Sequence, residues 1–219
     1  GAIQGARQPL ERADVPVPEP REDEVLIRVL ACGVCHTELD EIEGRTPPPR
    51  LPVIPGHQVI GAIESGERRG QRVGVAWIHS ACGECQYCRA GRENLCNRFR
   101  ATGRDADGGY AQYMTVPLSF AVPIPDGLPD MDAAPLLCGG AVGFRALRLS
   151  GISDGATLGL FGFGASNHLV LKTARHLYPN SPVLVFTRNA EERRLATARG
   201  AAWSGAISDT PPQMLDAAI

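Results

Sequence analysis

The sequence has no uninterrupted apolar run of the roughly 18 residues that a bilayer-spanning helix needs. Its opening stretch, from Gly1 to Leu10, lacks the apolar core of a secretory leader. It also lacks an excess of either charge, with 22 Lys and Arg against 24 Asp and Glu and a formal net charge of -2. A basic footprint for nucleic acid or an anionic membrane surface is therefore missing, and neither is expected as a partner. These absences lead us to expect a soluble, cytoplasmic protein. Within its 219 residues stand 25 glycines and 18 prolines, too many for a helical bundle and too dispersed for a collagen repeat or a flexible linker. Seven cysteines are present too. Without an export signal they argue for bound metal rather than a disulfide scaffold, because cytosolic thiols stay reduced.

Short runs rich in β-branched and aliphatic residues, Glu24 to Ala31, Val59 to Ile63 and Arg72 to Ile78, are each bounded by Gly or Pro and read as strands. Between the first two, the stretch from Thr46 to Pro55 carries five prolines in ten residues, which forbids a regular helix and most central-strand pairing. It is expected to be an extended loop feeding Gly56 and His57. After Pro135 the texture changes to Ala, Leu and Gly, and a domain boundary is expected near residue 139. Thr157 to Phe161 then reads as a buried strand, Gly162 to Gly164 as a turn and Leu169 to Tyr178 as a helix. Val183 to Phe186 follows as a second strand, and Ala190 to Arg199 as a charged helix stopped by Gly200. Strand and crossover helix in alternation imply a parallel sheet. Two such strands are too few to stand alone, so this second domain is expected to be incomplete, with a further strand opening at Leu215.

Residues 82–96 read CGECQYCRAGRENLC. Thiols at Cys82, Cys85, Cys88 and Cys96 on short turns suit a tetrahedral zinc ion, and four protein ligands leave no position open for chemistry. The expected site is structural. Cys32 and Cys35 form a separate CxxC, open to a redox reading. Its place in a loop-rich region after a strand favours the use of Cys35 alone.

In the order GVCHTEL, PGHQVIG, the cysteine loop, PLLCGG and GFGASNH, the sequence resembles the zinc-containing medium-chain alcohol dehydrogenases over nearly its whole length. The resemblance implies a GroES-like β-rich catalytic domain over residues 1–138 and a doubly wound, parallel-sheet Rossmann domain from 139 to 219, an α/β protein with its active site in the cleft between them. It implies two zinc ions per chain, one in the quartet and a catalytic one held by Cys35, His57 and Cys138. Two thiolates, an imidazole and an open position form a dehydrogenase-type site. In this resemblance Thr37 passes the substrate proton outward, and Glu38 is the acid that orients His57. Asp40 stands where many members carry a relay histidine, so that proton release would run through a carboxylate, water or the ribose. Gln58 replaces the glutamate that usually follows the zinc-binding histidine, and a neutral amide supplies no negative charge beside the metal.

Gly162, Gly164 and Asn167 occupy the three places of a GxGxxG fingerprint between strand and helix. With His36, Ala165 and Ser166 they are the expected contacts of a nicotinamide cofactor, whose pyrophosphate rests on the helix N-terminus. Asn167 in the third place implies either a helix set farther from the strand or an amide that bonds the loop. The second strand ends in Thr187 and Arg188, where NAD-preferring members carry an acid. A hydroxyl beside a guanidinium suits a 2'-phosphate, so NADP(H) is the expected cofactor, with Arg193 and Arg194 as helpers. The resemblance further implies a small alcohol or aldehyde substrate and a homodimer or homotetramer. A non-catalytic zinc-binding remnant of the family is the competing reading, suggested by Gln58, Asn167 and the incomplete second domain.

Overall fold

The computed structural model describes residues 9–219; of the opening stretch discussed above, residues 1–8 lie outside the described residues. The chain divides into two units, Gly1–Cys138 and Gly139–Ile219. Among the described residues no helix is long and apolar enough to cross a membrane.

The first unit is built on strands that alternate buried and outward residues. In β1 (Glu24–Cys32) Val25 and Ile27 point inward, and a register shift between Val29 and Ala31 bends the strand before it delivers Cys32. After α1 (His36–Ile42) the chain crosses the proline loop and enters β2 (Val59–Ile63), followed by β3 (Arg72–Val75). The expected strand from Arg72 to Ile78 is in fact two. Thr102 takes the carbonyls of Ala76 and Trp77, through its hydroxyl at 2.8 Å and its N–H at 2.9 Å, so these residues leave the ladder. Ile78 then opens β4 (Ile78–Ser80). The cysteine loop, with the four-residue α2 (Gln86–Arg89), leads to β5 (Arg100–Ala101), which pairs with β4 in a separate two-stranded sheet.

Next come β6 (Tyr113–Pro117) and β7 (Val122–Pro123), and the main sheet is antiparallel in the order β6-β1-β2-β3-β7. Val59, Ile63, Val73, Val75, Met114 and Val116 fill its core with Val25 and Ile27, each fully buried aliphatic side chain contributing about 1.5–3 kcal/mol. A second cluster, Ala31, Ile60, Ala133 and Ala134, seats α3 (Asp130–Ala133) and the 3-10 turn Ala134–Leu137. Arg72 fixes this segment, its Nε donating to Asp130 Oδ1 at 2.7 Å and one terminal nitrogen to the Leu128 carbonyl at 2.5 Å. Leu137 packs where Gly74 has no Cβ. The next residue is Cys138.

The second unit opens with α4 (Gly139–Leu149), a helix the sequence reading does not contain. Then β8 (Leu158–Phe161), α5 (Ala165–Leu177), β9 (Val183–Phe186) and α6 (Ala190–Ala198) alternate as expected, except that α5 begins four residues before Leu169. Two short strands, β10 (Trp203–Gly205) and β11 (Ala217–Ala218), complete a four-stranded parallel sheet of order β10-β9-β8-β11. The sheet thus has four strands: β11 falls in the segment where a further strand is expected from Leu215, opening two residues later, while the three-residue β10 is not anticipated, because so short a run carries too little periodicity to be read from sequence. Leu158, Leu160, Val183, Val185, Val170 and Leu171 form its core.

Candidate metal centres and nucleotide site

Cys35 sits where an extended residue becomes the N-cap of α1, with φ -126° and ψ 161°. Glu38, at the third helical position, reaches back so that its Oε2 accepts the Cys35 N–H at 2.7 Å, as in a capping box. The other carboxylate oxygen, Oε1, lies 2.6 Å from His57 Nδ1, and the two side chains are 2% and 1% exposed. One acid therefore positions two of the expected ligands. His57 is placed by Gly56, whose φ of +102° suits glycine and whose missing Cβ leaves room for Tyr110 and Cys32. With Nδ1 taken by the carboxylate, Nε2 is the free ligand atom. It is buried and has no hydrogen-bond partner among the described residues.

The Cys35 and Cys138 sulfurs lie 3.8 Å apart. Ligand atoms of Cys35, His57 and Cys138 all fall within 4.8 Å of one another. Two sulfurs bound to one tetrahedral zinc at about 2.3 Å stand about 3.8 Å apart, so the residues fit the ion. Without metal the same crowding couples their titration. Contact with the Cys138 thiol and with His57 draws Cys35 down to about 3, against the effect of burial. Contact with Cys35, then burial, pushes Cys138 up. Burial alone would lower His57, but Cys35 and Glu38 outweigh it and raise the imidazole to about 9.

Thr37 lies beside this group, its Oγ1 accepting from Cys35 Sγ at 3.6 Å. Asp40, expected as a relay, is not brought to the cluster. Its Oδ1 takes Arg45 Nε at 2.5 Å, because the turn after α1 returns Arg45 over the helix. His36 is exposed, with Nε2 3.9 Å from Asp40. Gln58 is buried against Gly33, and its carbonyl accepts the Gly33 N–H at 2.9 Å. Sequence reasoning missed Glu41, which is 1% exposed with both carboxylate oxygens unpartnered among the described residues. Burial and then the Glu38 charge raise it to about 7. Its place on the buried side of α1, three residues after Glu38, is the signal that could have found it.

The second cluster is Cys82, Cys85, Cys88 and Cys96, again with every ligand atom within 4.8 Å of the others. Cys88 Sγ lies 3.8 Å from Cys82 and 3.5 Å from Cys85. Backbone N–H groups point at the sulfurs, Cys85 to Cys82 at 3.4 Å and Cys82 and Arg98 to Cys96 at 3.4 and 3.3 Å. Such donors favour thiolates, as a closed zinc site requires.

In the second unit Gly162 turns the chain after β8 with φ +82°, and its N–H donates to the Phe186 carbonyl at 2.7 Å. Gly164 caps α5 with φ -77°, a conformation open to any residue, and a Cβ there would meet nothing within 4 Å. Neither backbone nor protein packing calls for glycine at that position; a group approaching from outside would. Ahead of it, the first-turn N–H groups of Ala165 and Ser166 have no intrahelical partner and can receive a pyrophosphate. Asn167 resolves its two alternatives by bonding the loop, its Nδ2 donating to the carbonyls of Phe161 and Gly162, both at 3.0 Å. Thr187 is buried, and its hydroxyl donates to Glu192 Oε2 at 2.5 Å. Arg193 holds the same loop through the carbonyls of Thr187 and Arg188 at 2.7 and 3.0 Å, while Arg194 pairs with Glu191.

Residues 21–126 match the alcohol dehydrogenase GroES-like domain family. A probable alcohol dehydrogenase of Mycobacterium tuberculosis is 47% identical over 96% of this chain and 64% of its own length. An alcohol dehydrogenase of Geobacillus stearothermophilus is 37% identical over 91% of this chain and 60% of its own. Among solved structures, an alcohol dehydrogenase from Escherichia coli in complex with NADH superposes with a TM-score of 0.87 at 27% identity, covering 96% of this chain and 62% of that one. A zinc-binding dehydrogenase from Sinorhizobium meliloti bound to NADP gives 0.83 at 33% identity, over 94% and 60%. The chain spans less than two thirds of the length of each of these relatives.

Proposed function

Because this chain belongs to the zinc-containing medium-chain alcohol dehydrogenase family, we propose that it carries the catalytic metal centre and the nucleotide turn of an enzyme that interconverts a small alcohol and its aldehyde or ketone, with a nicotinamide cofactor as hydride carrier. The observation that carries this reading is the buried Nε2 of His57, without a hydrogen-bond partner among the described residues, beside two thiols 3.8 Å apart. Bound by Cys35, His57 and Cys138, zinc would supply the Lewis acidity that makes an alcohol hydroxyl acidic near neutral pH. Glu38 holds the imidazole in the tautomer that presents Nε2, and by capping α1 it also fixes Cys35. Thr37 Oγ1 is the atom proposed to receive the alcohol proton. Asp40, engaged by Arg45, stands aside from that path, which leaves water or the cofactor ribose as the next acceptor. Gly162, Gly164, Ala165, Ser166 and Asn167 shape the turn that receives the pyrophosphate.

The quartet is proposed to hold a second zinc with no chemical role. The fit of Cys35, His57 and Cys138 favours the enzyme over a non-catalytic remnant. We assign His36 to the cofactor side on the resemblance alone. A homodimer or homotetramer belongs to the same proposal. So does a cytoplasmic location, since cysteines that serve as zinc ligands rather than as disulfides suit a reducing compartment.

Elemental analysis of protein purified without added metal tests the proposal and is expected to find two zinc ions per chain. Cys35→Ala is expected to keep one of them and to lose all alcohol-dependent reduction of the cofactor. A single zinc that survives Cys35→Ala and disappears with Cys88→Ala would defeat the dehydrogenase reading and leave the structural lobe alone.

A further inference from the structure

The C-terminal ends of β8 and β9 are tied together. Gly162 bonds the Phe186 carbonyl, and the Phe161 and Phe186 rings stack with centroids 4.6 Å apart. Thr187, the residue after β9, therefore stands beside the glycine turn that faces the α5 N-terminus. Asn189 caps α6, its Oδ1 accepting the Glu191 N–H at 2.9 Å, which sets Glu192 in the first turn and aims it back at Thr187. The Thr187 hydroxyl has one proton and gives it to Glu192 Oε2 at 2.5 Å. Its oxygen accepts from the Asn189 N–H at 3.4 Å. Glu192 Oε1 takes no hydrogen bond among the described residues. Arg193 directs a terminal nitrogen to two main-chain carbonyls, and Arg188 is exposed.

Resting on the reading of the second unit as a dinucleotide site, we infer that Glu192, held by Thr187, selects a cofactor ribose with a free 2'-hydroxyl, so that the coenzyme is NAD(H). A ribose diol offers the donors that a half-engaged carboxylate accepts. A 2'-phosphate offers none when ionised and meets a like charge. For Thr187 to serve a phosphate, it would have to release Glu192 and leave two anions side by side. The NADP(H) expectation took the Thr187 hydroxyl as free, whereas the fold commits it to an acid five residues on. Arg188 and Arg193 supply positive charge in the same loop, so Glu192 is the group that stands against the phosphate.

Calorimetric titration of the chain with NAD+ and with NADP+ reads this selectivity without turnover. NAD+ is expected to bind at least about tenfold more tightly, and Glu192→Gln to shift the ratio toward NADP+ by about tenfold or more. Glu191→Gln, which removes the neighbouring acid paired with Arg194, is expected to leave the ratio within about twofold. The wild-type ratio tests the sign even where a variant folds poorly. Tighter binding of NADP+ by the wild type, or an unchanged ratio in Glu192→Gln, overturns the inference and leaves the dinucleotide site standing. Failure of both nucleotides to bind overturns the dinucleotide reading and this inference with it.

Discussion

A Cys88→Ala chain is expected to bind one zinc fewer and to melt about 10 °C or more below the parent, while the Cys35 cluster keeps its metal. The loop from Cys82 to Cys96 has little else to order it. Its regular structure amounts to a four-residue helix and the 3-10 turn Glu93–Leu95, and of its four thiols Cys96 alone is buried. The Glu84–Arg98 pair lies at the surface, with both side chains about two-thirds exposed, and such pairs contribute about 0–1 kcal/mol. Structural zinc binding is folding free energy in small metal lobes, about 10–16 kcal/mol in isolated peptides. The lobe here is anchored at both ends by the β4–β5 pair, so local opening limits the loss to a part of that, about 3–5 kcal/mol. For a chain of this size that corresponds to a fall of about 10 °C. Scanning calorimetry checks the value, and hydrogen exchange is expected to show the opening confined to the region around residues 82–98. An unchanged melting temperature in a chain that has lost this zinc would show that the lobe is ordered by packing alone.

How far the sequence announced this architecture depends on where each element gets its order. Val59 to Ile63 and Val183 to Phe186 are strands within the limits read from sequence, because both are continuous apolar runs. The strand from Arg72 was overextended because its break comes from Thr102, some 26 residues along the chain, which no local pattern encodes. Spacing marked the cysteine quartet by itself, since four ligands lie within fifteen residues. Cys35, His57 and Cys138 are distant in sequence. Only resemblance groups them in the sequence, and it takes Glu38 and the Arg72 contacts to explain how three separate segments converge. The cofactor end shows the opposite weakness. Adjacency in sequence pairs Thr187 with Arg188, yet the hydroxyl's partner is Glu192, which in sequence looks like any acid in a helix first turn. Glu41 was equally hidden, since a carboxylate on a short helix is ordinarily solvated.

Replacing Glu38 by Gln is expected to weaken the Cys35–His57–Cys138 metal site by about 10- to 100-fold, the range typical for an acid that supports a zinc-binding imidazole. The quartet should be untouched. Glu38 Oε1 holds His57 Nδ1, and an amide presenting its NH2 there would turn the ring or reverse its tautomer. Either change spoils Nε2 as a ligand. The same substitution in the metal-free chain breaks a pair in which both partners are nearly fully buried, at a cost of about 3–5 kcal/mol. This cost depends on pH in a definite direction. Folded His57 is raised to about 9 from an ordinary 6.5, with Cys35 and Glu38 as the groups that raise it. A raised base adds stability that is complete below the ordinary value and is lost as pH climbs through the folded one. Destabilisation by Glu38→Gln should therefore be largest below about pH 6.5 and shrink toward pH 9. With zinc bound, His57 is neutral at every pH in that range, and the slope should vanish. Denaturant midpoints of the metal-free and zinc-loaded wild type and variant, taken across pH 6 to 9.5, would measure both. A variant whose deficit grows with pH in the metal-free chain would show that Glu38 orients the imidazole without stabilising its charge.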